Sequence, residues 1–417
     1  MHILQVSKKM PYPPLDGESL GIHVFTQAFA RLGHQVSVLA MNTPKHTITE
    51  ADFPKNEPLL FADYEMVFVD TSLSFVAAFI NLFSKKSYNV ERFVSKTFRN
   101  RLAERLQQTH YDLIELESAY LIPYSDTIRK HSSAPIVVRL QNVEAIIWER
   151  LANETRFLPK KWYLKMLARR MKRFEHSIAA HCDAMLPVSP VDKAYFRDIA
   201  QFDKPMFLLP FCLHAKDYPF DPSLEREDDF PSLFFLGAMD WDANRQGLIW
   251  FLENAWHLVK QQLPNANLYI AGRGTNQEHK QYFDRFLGVK LLGEVPSAPL
   301  FMRSKAVMIV PLLSGSGMRV KIIEGMALGK PIVATSVAAE GIDCTNGQDI
   351  WIADTPADFA QTVCQLLTDR QRCIATGNAA RSLVEQKHDV MQMTQNLLLF
   401  YDDLIAKKRS KNKIENA

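Results

Sequence analysis

The stretch GSGMRVKIIEGMALGKPIVAT, Gly315 to Thr335, decides how the chain folds. Before it, AVMIVP (Ala306–Pro311) is a short uninterrupted apolar run, the pattern of a strand buried on both faces. From Met318 the periodicity becomes helical, with Val320, Ile323 and Ala327 on one face. Gly329 and Pro331 stop it, and a second apolar run, PIVAT, follows. Strand, glycine turn, helix and strand make a βαβ unit, which takes ligands at the carboxyl ends of its strands. Gly315 and Gly317 allow close backbone approach, and the helix start offers unpaired N–H groups and a positive dipole end. Arg319 and Lys321 put two cations in the first turn, where they oppose that dipole. A bound anion would reverse the conflict. Glu324 lies between one and two turns further on, at hydroxyl-binding reach from such an anion. A diphosphate next to a sugar fits this pattern. The alternative is a plain Gly-Ser-Gly loop followed by a Lys321–Glu324 surface pair, worth roughly a few tenths of a kcal/mol.

Working outward, the same alternation fills the rest of the chain. HILQVS (His2–Ser7) is a first buried strand, followed by a Pro-rich turn, KKMPYPPLDGESLG, and a helix, IHVFTQAFARLG, closed by Gly33. VSVLA (Val36–Ala40), DLIELE (Asp112–Glu117), IVVRL (Ile136–Leu140) and DAMLPVS (Asp183–Ser189) are further strands, separated by helical stretches, and predict a parallel, doubly wound sheet. KPMFLLPFC (Lys204–Cys212) carries the crossover, and the acidic SLEREDDFPS (Ser223–Ser232) reads as a surface linker. A second sheet opens with SLFFLGAMDWDANRQGLIWFLENAW, its first strand ending at Gly237 and a helix beginning near Arg245. NLYIAG (Asn267–Gly272), VKLLG (Val289–Gly293) and AVMIVP continue it. Thr355, Pro356 and Asp358 make a well-formed helix start. A last helix spans about Val390 to Ala406, and AKKRSKNKIENA beyond it is expected to fray.

The 417 residues suffice for two domains, and 47% hydrophobic with 23% charged residues is ordinary globular composition. A net charge of +3 gives no global reason to expect a nucleic-acid partner. Five scattered cysteines without a C-x-x-C suggest neither a disulfide framework nor a zinc site, and a reducing cytosol is the simplest home. MHILQVSKKM is too short an apolar run for a signal peptide, and the apolar region Met66–Phe83 is broken by Asp70, Thr71, Ser72 and Ser74, so it is not read as a membrane span. Asp240 and Asp242 in MDWDAN have metal-motif spacing but read as capping or loop residues.

Two segments carry local charge. From Leu73 to Gln108 aromatic residues mix with Lys85, Lys86, Arg92, Lys96, Arg99, Arg101 and Arg105, either a solvated helix pair or a segment facing an acceptor or a membrane. RFLPKKWYLKMLARRMKRFEHS, from Arg156, is a basic amphipathic helix in which Lys160, Lys161, Lys165, Arg169, Arg170, Lys172 and Arg173 alternate with apolar residues. It fits either an anionic lipid surface or a solvated face over a core contact.

GSGMRVKIIEGMALGKPIVAT, followed by AAEG, resembles the C-terminal signature of retaining GT-B glycosyltransferases of the glycosyltransferase family 4 (group 1) type, in the branch with G-S-G-x-R-x-K-x-x-E. The resemblance implies an α/β GT-B fold, two Rossmann-like domains facing across a cleft. An acceptor-side domain would span 1–205 with helix 390–406 packing back on it, and a nucleotide-sugar-binding domain 206–389. Gly315, Ser316 and Gly317 would then receive the donor diphosphate and Glu324 the ribose. Ser316 stands where the usual two-glutamate motif has its first glutamate.

PPLDGES and Gly33-His34-Gln35-Val36 resemble the family's opening βαβ, which assigns Gly17 to the donor phosphates and sugar. GEVPS (Gly293–Ser297) resembles the loop that reads the base, so Val295 joins the donor site. RLQNVEAIIWERLA, from Arg139, resembles the R-x-H-N-x-E segment, with Gln141 in place of the histidine that contacts the donor sugar; glutamine cannot titrate. Asn142 and Glu144 are candidate ligands in the same segment, or caps of the helix that follows. The family's Arg/Lys diphosphate clamp falls in a loop that here has Asp240, Asp242, Asn244 and Arg245, so Arg319 and Lys321 are expected to take over that duty.

The activity implied is transfer of a hexose from a UDP- or GDP-sugar to a glycan or lipid-linked acceptor, with retention and with no cofactor or bound metal. The setting implied is cytoplasmic, peripheral at the inner face of the plasma membrane. A dehydrogenase is set aside because no G-x-G-x-x-G follows the first strand. A GT-B epimerase and a non-catalytic nucleotide-sugar-binding or partner protein remain alternatives.

Overall fold

The computed structural model describes every residue except 15, 54–59, 221–228, 316 and 416–417. The chain forms two compact units, Met1–Pro210 with Val390–Ala417, and Phe211–Asp389.

The first unit is built on six parallel strands: β1 (His2–Ser7), β2 (Gln35–Asn42), β3 (Asp63–Phe68), β4 (Leu113–Leu116), β5 (Ile136–Leu140) and β6 (Ala184–Pro187), in the order β3-β2-β1-β4-β5-β6. Continuous apolar runs account for the central strands, which helices cover on both faces. β3 was not foreseen, because DYEMVF is an edge strand, mostly half-buried or exposed, and lacks such a run. Between β1 and β2 runs α1 (Gly17–Arg31), which starts five residues earlier than its apolar periodicity predicts. A capping box explains the early start: Ser19 N donates to Asp16 Oδ1 at 2.9 Å and Asp16 N donates to Ser19 Oγ at 3.0 Å. The region after β3 folds as α2 (Phe75–Leu82) and α3 (Lys96–Gln108), and after β5 come α4 (Glu144–Glu154) and α5 (Leu158–Ser177). Phe98 and Leu102 of α3 enter the core over β1 and β4, with Leu4, Val6, Ile114 and Leu116.

In the second unit β7 (Asp229–Leu236), β8 (Asn267–Ala271), β9 (Val289–Gly293), β10 (Lys305–Val310), β11 (Ile332–Ala334) and β12 (Trp351–Ile352) form a second parallel sheet, in the order β12-β11-β10-β7-β8-β9. Asp229 already belongs to β7, and residues 223–228 of the expected linker lie outside the described residues. The helices that matter for the site are α6 (Asp242–Asn254), α7 (Val320–Ala327), α8 (Pro356–Thr368) and α9 (Arg370–Lys387). Thr355 caps α8 through Asp358 N, at 3.2 Å.

The chain ends in α10 (Val390–Glu415), which returns to the first unit and packs on α1. Residues 407–415 are helical, where fraying was expected after Ala406. Lys408 pairs with Asp183 at 2.9 Å and Arg409 with Asp112 at 3.0 Å, so the basic tail is held helical against carboxylates that precede β6 and β4.

In both sheets the strand order reverses at one place, between β1 and β4 and between β7 and β10. In doubly wound sheets such a reversal is where ligands bind, outside the carboxyl ends of the strands.

Candidate functional site

The second unit's switch point is where the Gly315–Glu324 motif lies. β7 ends at Leu236, β10 leads into the glycine turn, and α7 begins at Val320 with Arg319 in the capping position. Gly315 (φ 116°) and Gly317 (φ 81°) adopt a left-handed backbone. A Cβ on Gly315 would stand 2.8 Å from Arg319 Nη2 and 3.5 Å from Trp241 Cζ2, so the turn is packed against the guanidinium. Arg319 is buried, donates from Nη1 to Gly317 O at 2.7 Å, and lies over the Trp241 ring. Ser316 is outside the described residues.

Lys321, in the first turn of α7, reaches back to β7. Its Nζ donates to Leu236 O at 2.9 Å and to Asn244 Oδ1 at 2.7 Å, above the Phe235 ring. Burial first, and the Arg319 charge second, pull this ammonium down to about 7. Two cations are thus held together at a helix start with no carboxylate among the partners identified for Lys321. Glu324 does not pair with Lys321, contrary to the surface-pair alternative. Its Oε1 accepts from Tyr218 Oη at 2.9 Å, and burial raises its pKa against that hydrogen bond. Tyr218 is in turn held by Arg381 of α9, which donates to Tyr218 O at 2.8 Å and Ala215 O at 3.0 Å.

Arg245 pairs with Asp242 inside α6, whose cap position is Trp241 with no side-chain cap bond. Asp242 therefore opens the helix rather than capping it. Val295 is half-buried in the loop after β9.

The remaining candidates lie in the first unit. Gly17 is the first residue of α1, next to the Asp16 cap. Lys9 pairs with Asp16 at 2.7 Å and with Glu18 at 2.9 Å, and Lys8 pairs with Glu18 at 3.2 Å. Burial would raise the Asp16 carboxyl, but Lys9 outweighs it and holds the group at about 2. Lys8 lies over Tyr120, whose Oη donates to Glu144 Oε2 at 2.8 Å. Neither Asn142 nor Glu144 caps the following helix: α4 starts at Glu144 and its cap position is Val143, without a side-chain bond. Gln141, just past β5, is half-buried, and its enclosed Nε2 donates to no acceptor among the described residues. Arg139 is fully buried, donating to Gly21 O at 3.0 Å, so this motif residue braces α1 against β5.

Sequence alone missed Gly237, Asn244, Tyr218 and Arg381. Gly237 carried the one usable signal, a glycine directly after a buried strand; a Cβ there would meet Lys321 Nζ at 2.8 Å.

Residues 230–369 match the model of the family described as glycosyl transferases, group 1. Two such parallel sheets, each with its helices, occur in Anabaena HepE in complex with UDP and glucose, at a TM-score of 0.62 and 14% identity over 96% of this chain and 99% of that one. The fold is GT-B. Along the sequence, this GT-B chain is 26% identical over 378 residues, 87% of it and 89% of the relative, to an uncharacterized 44.6 kDa protein in the cps region of Klebsiella pneumoniae. It is 26% identical over 236 residues, 55% of it and 60% of the relative, to a Campylobacter jejuni α-1,4-N-acetyl-D-galactosaminyltransferase that acts on a diphosphate-undecaprenol-linked glycan.

Proposed function

We propose that this protein transfers a hexose from a UDP- or GDP-sugar to a glycan or lipid-linked acceptor with retention of configuration. The observation that carries the proposal is the pair of buried Arg319 and half-buried Lys321 at the start of α7 on the topological switch point, with the Lys321 ammonium destabilised. A diphosphate over the Gly315–Gly317 turn supplies a countercharge for Lys321 beside Arg319. Glu324, steered by Tyr218, accepts from the ribose hydroxyls, and Val295 lies in the loop that meets the base. The glycosyl bond breaks with its electron pair going to the diphosphate. The acceptor oxygen attacks the anomeric carbon on the same face, and its proton passes to a phosphate oxygen. Negative charge on the diphosphate grows as the bond breaks, so the two cations and the helix N–H groups bind the transition state more strongly than the ground state. They occupy the role a divalent cation would otherwise fill. The relative that acts on an undecaprenol-linked glycan supports the acceptor class, and the UDP bound to HepE supports the donor class.

The test is a thermal-shift screen of UDP-, GDP- and ADP-sugars followed by product analysis with the one that binds. A donor that raises the unfolding temperature in the parent but not in Arg319→Ala or Lys321→Ala supports the site. Absence of any shift with all three counts against it. Turnover in the same variants is expected to fall by about 10²–10³-fold. A non-titrating Gln141 also suits a non-catalytic binder, and binding without any product would favour that reading. An epimerised donor among the products would favour the epimerase.

A further inference from the structure

We infer that α2 and the start of α5 form a docking face for an anionic lipid bilayer, with α2 seated among the headgroups and the cations around it resting on them. This inference rests on no part of the sugar-transfer proposal. α2 and its capping residue carry Val76, Phe79, Ile80 and Phe83 at the spacing i, i+3, i+4, i+7, and these are 70%, 62%, 65% and 84% exposed. Such a stripe ordinarily turns toward a core. Here the helix is fastened at both ends with the stripe outward. At its start, Tyr88 Oη donates to Ser74 O at 3.1 Å and accepts from Ser74 N at 3.0 Å, while the Tyr88 ring packs with Leu164 and Leu167 of α5. At its end, Arg170 of α5 donates to Asn81 O at 2.8 Å, Asn81 Oδ1 at 2.7 Å and Leu82 O at 2.9 Å.

Arg170 therefore leaves the set of surface cations that the sequence suggested. It is buried, and its work is to mount α2 on α5. The first turns of α5 add Phe157, Leu158 and Trp162, all exposed. Along α5, which mounts α2, Lys160, Lys165, Arg169, Lys172 and Arg173 are exposed. Just past α2, a cavity of about 310 Å³ is lined by Lys85, Lys86, Arg170 and Arg173, with Glu91 and Asp126 as its acidic groups. An apolar centre with a cationic rim matches the two layers of an anionic membrane surface, acyl chains below phosphates. No helix among the described residues is long and apolar enough to cross a membrane, so the face would lie on the bilayer.

The test is co-sedimentation of the full chain at low ionic strength with phosphatidylcholine vesicles, pure or with about a quarter phosphatidylglycerol. Binding to the anionic vesicles, weakened by salt, is expected. Phe79→Ser with Phe83→Ser should lower the partition at least about tenfold, and Lys85→Glu with Lys86→Glu should lower it selectively for anionic vesicles. Both variants should keep the parent's circular dichroism. The inference is overturned if the parent stays in the supernatant, if it binds pure phosphatidylcholine equally well, or if the phenylalanine variant binds like the parent. It is also overturned if gel filtration shows a parent dimer that the same variant dissociates, since the face would then be a contact between copies.

Discussion

Lys321 is a lysine kept where its own charge is costly. With its ammonium at about 7, it is partly neutral at neutral pH. Binding a diphosphate stabilises the charged form and raises that pKa, so the sign of the linkage is set. Below about pH 7 the lysine is already charged and contributes no pH dependence. Above it, binding must take up a proton, and affinity for a nucleotide sugar should fall by up to about tenfold per pH unit. Calorimetry at pH 8 in two buffers of different ionisation enthalpy should show uptake approaching one proton, and Lys321→Arg should abolish it. Glu324 is the second residue to test. Glu324→Ala should weaken nucleotide binding by about 1.5–3 kcal/mol, the range for a hydrogen bond to a charged group. Tyr218→Phe, which frees the carboxylate from its 2.9 Å donor, should weaken binding less and leave the fold intact. Both are read from isothermal titration with the free nucleotide. The cations and the glutamate were legible as residues of one short motif. Their partners were not, because Tyr218 is 106 residues away from Glu324 and Asn244 is 77 residues away from Lys321.

At the scale of elements, α10 shows how composition misleads. A tail rich in Lys and Asn reads as frayed, yet its charges meet Asp112 and Asp183 on another part of the chain. Deeper along the same helix, Tyr401 Oη donates to Glu115 Oε1 at 3.0 Å, and Gln5 Nε2 donates to Glu115 Oε2 at 3.1 Å. Glu115 is buried beneath the helix, and burial raises its pKa. Tyr401→Phe removes one of these donors and should destabilise the protein by about 1–3 kcal/mol, the cost of a buried polar group left short of a partner. A lowered urea midpoint at unchanged slope would report it. α1 and β3 were misjudged for local reasons. The capping box starts α1 before its apolar stripe does, and an edge strand needs no continuous apolar run.

On the scale of the whole molecule, the second unit is one uninterrupted stretch, Phe211–Asp389, while the first is closed by α10 from the far end of the chain. The second unit has its own six-stranded sheet and core, and it contains Gly237, Asn244, Tyr218, Arg319, Lys321 and Glu324. A fragment spanning 211–389 is therefore expected to fold and to retain nucleoside-diphosphate binding. Circular dichroism and calorimetry of the fragment test this; an unfolded fragment, or a folded one that binds nothing, would contradict it. By itself the sequence determined the central parallel strands, most crossover helices and the glycine turn with its two cations and glutamate, because period, turn chemistry and caps are properties of neighbouring residues. Only the tertiary structure decided where the strand order reverses, which carbonyls and carboxylates the buried charges meet, and that Arg170 faces inward while the α2 stripe faces out. Those depend on which distant segments pack together, and a side chain's burial, charge and partners are set by that packing.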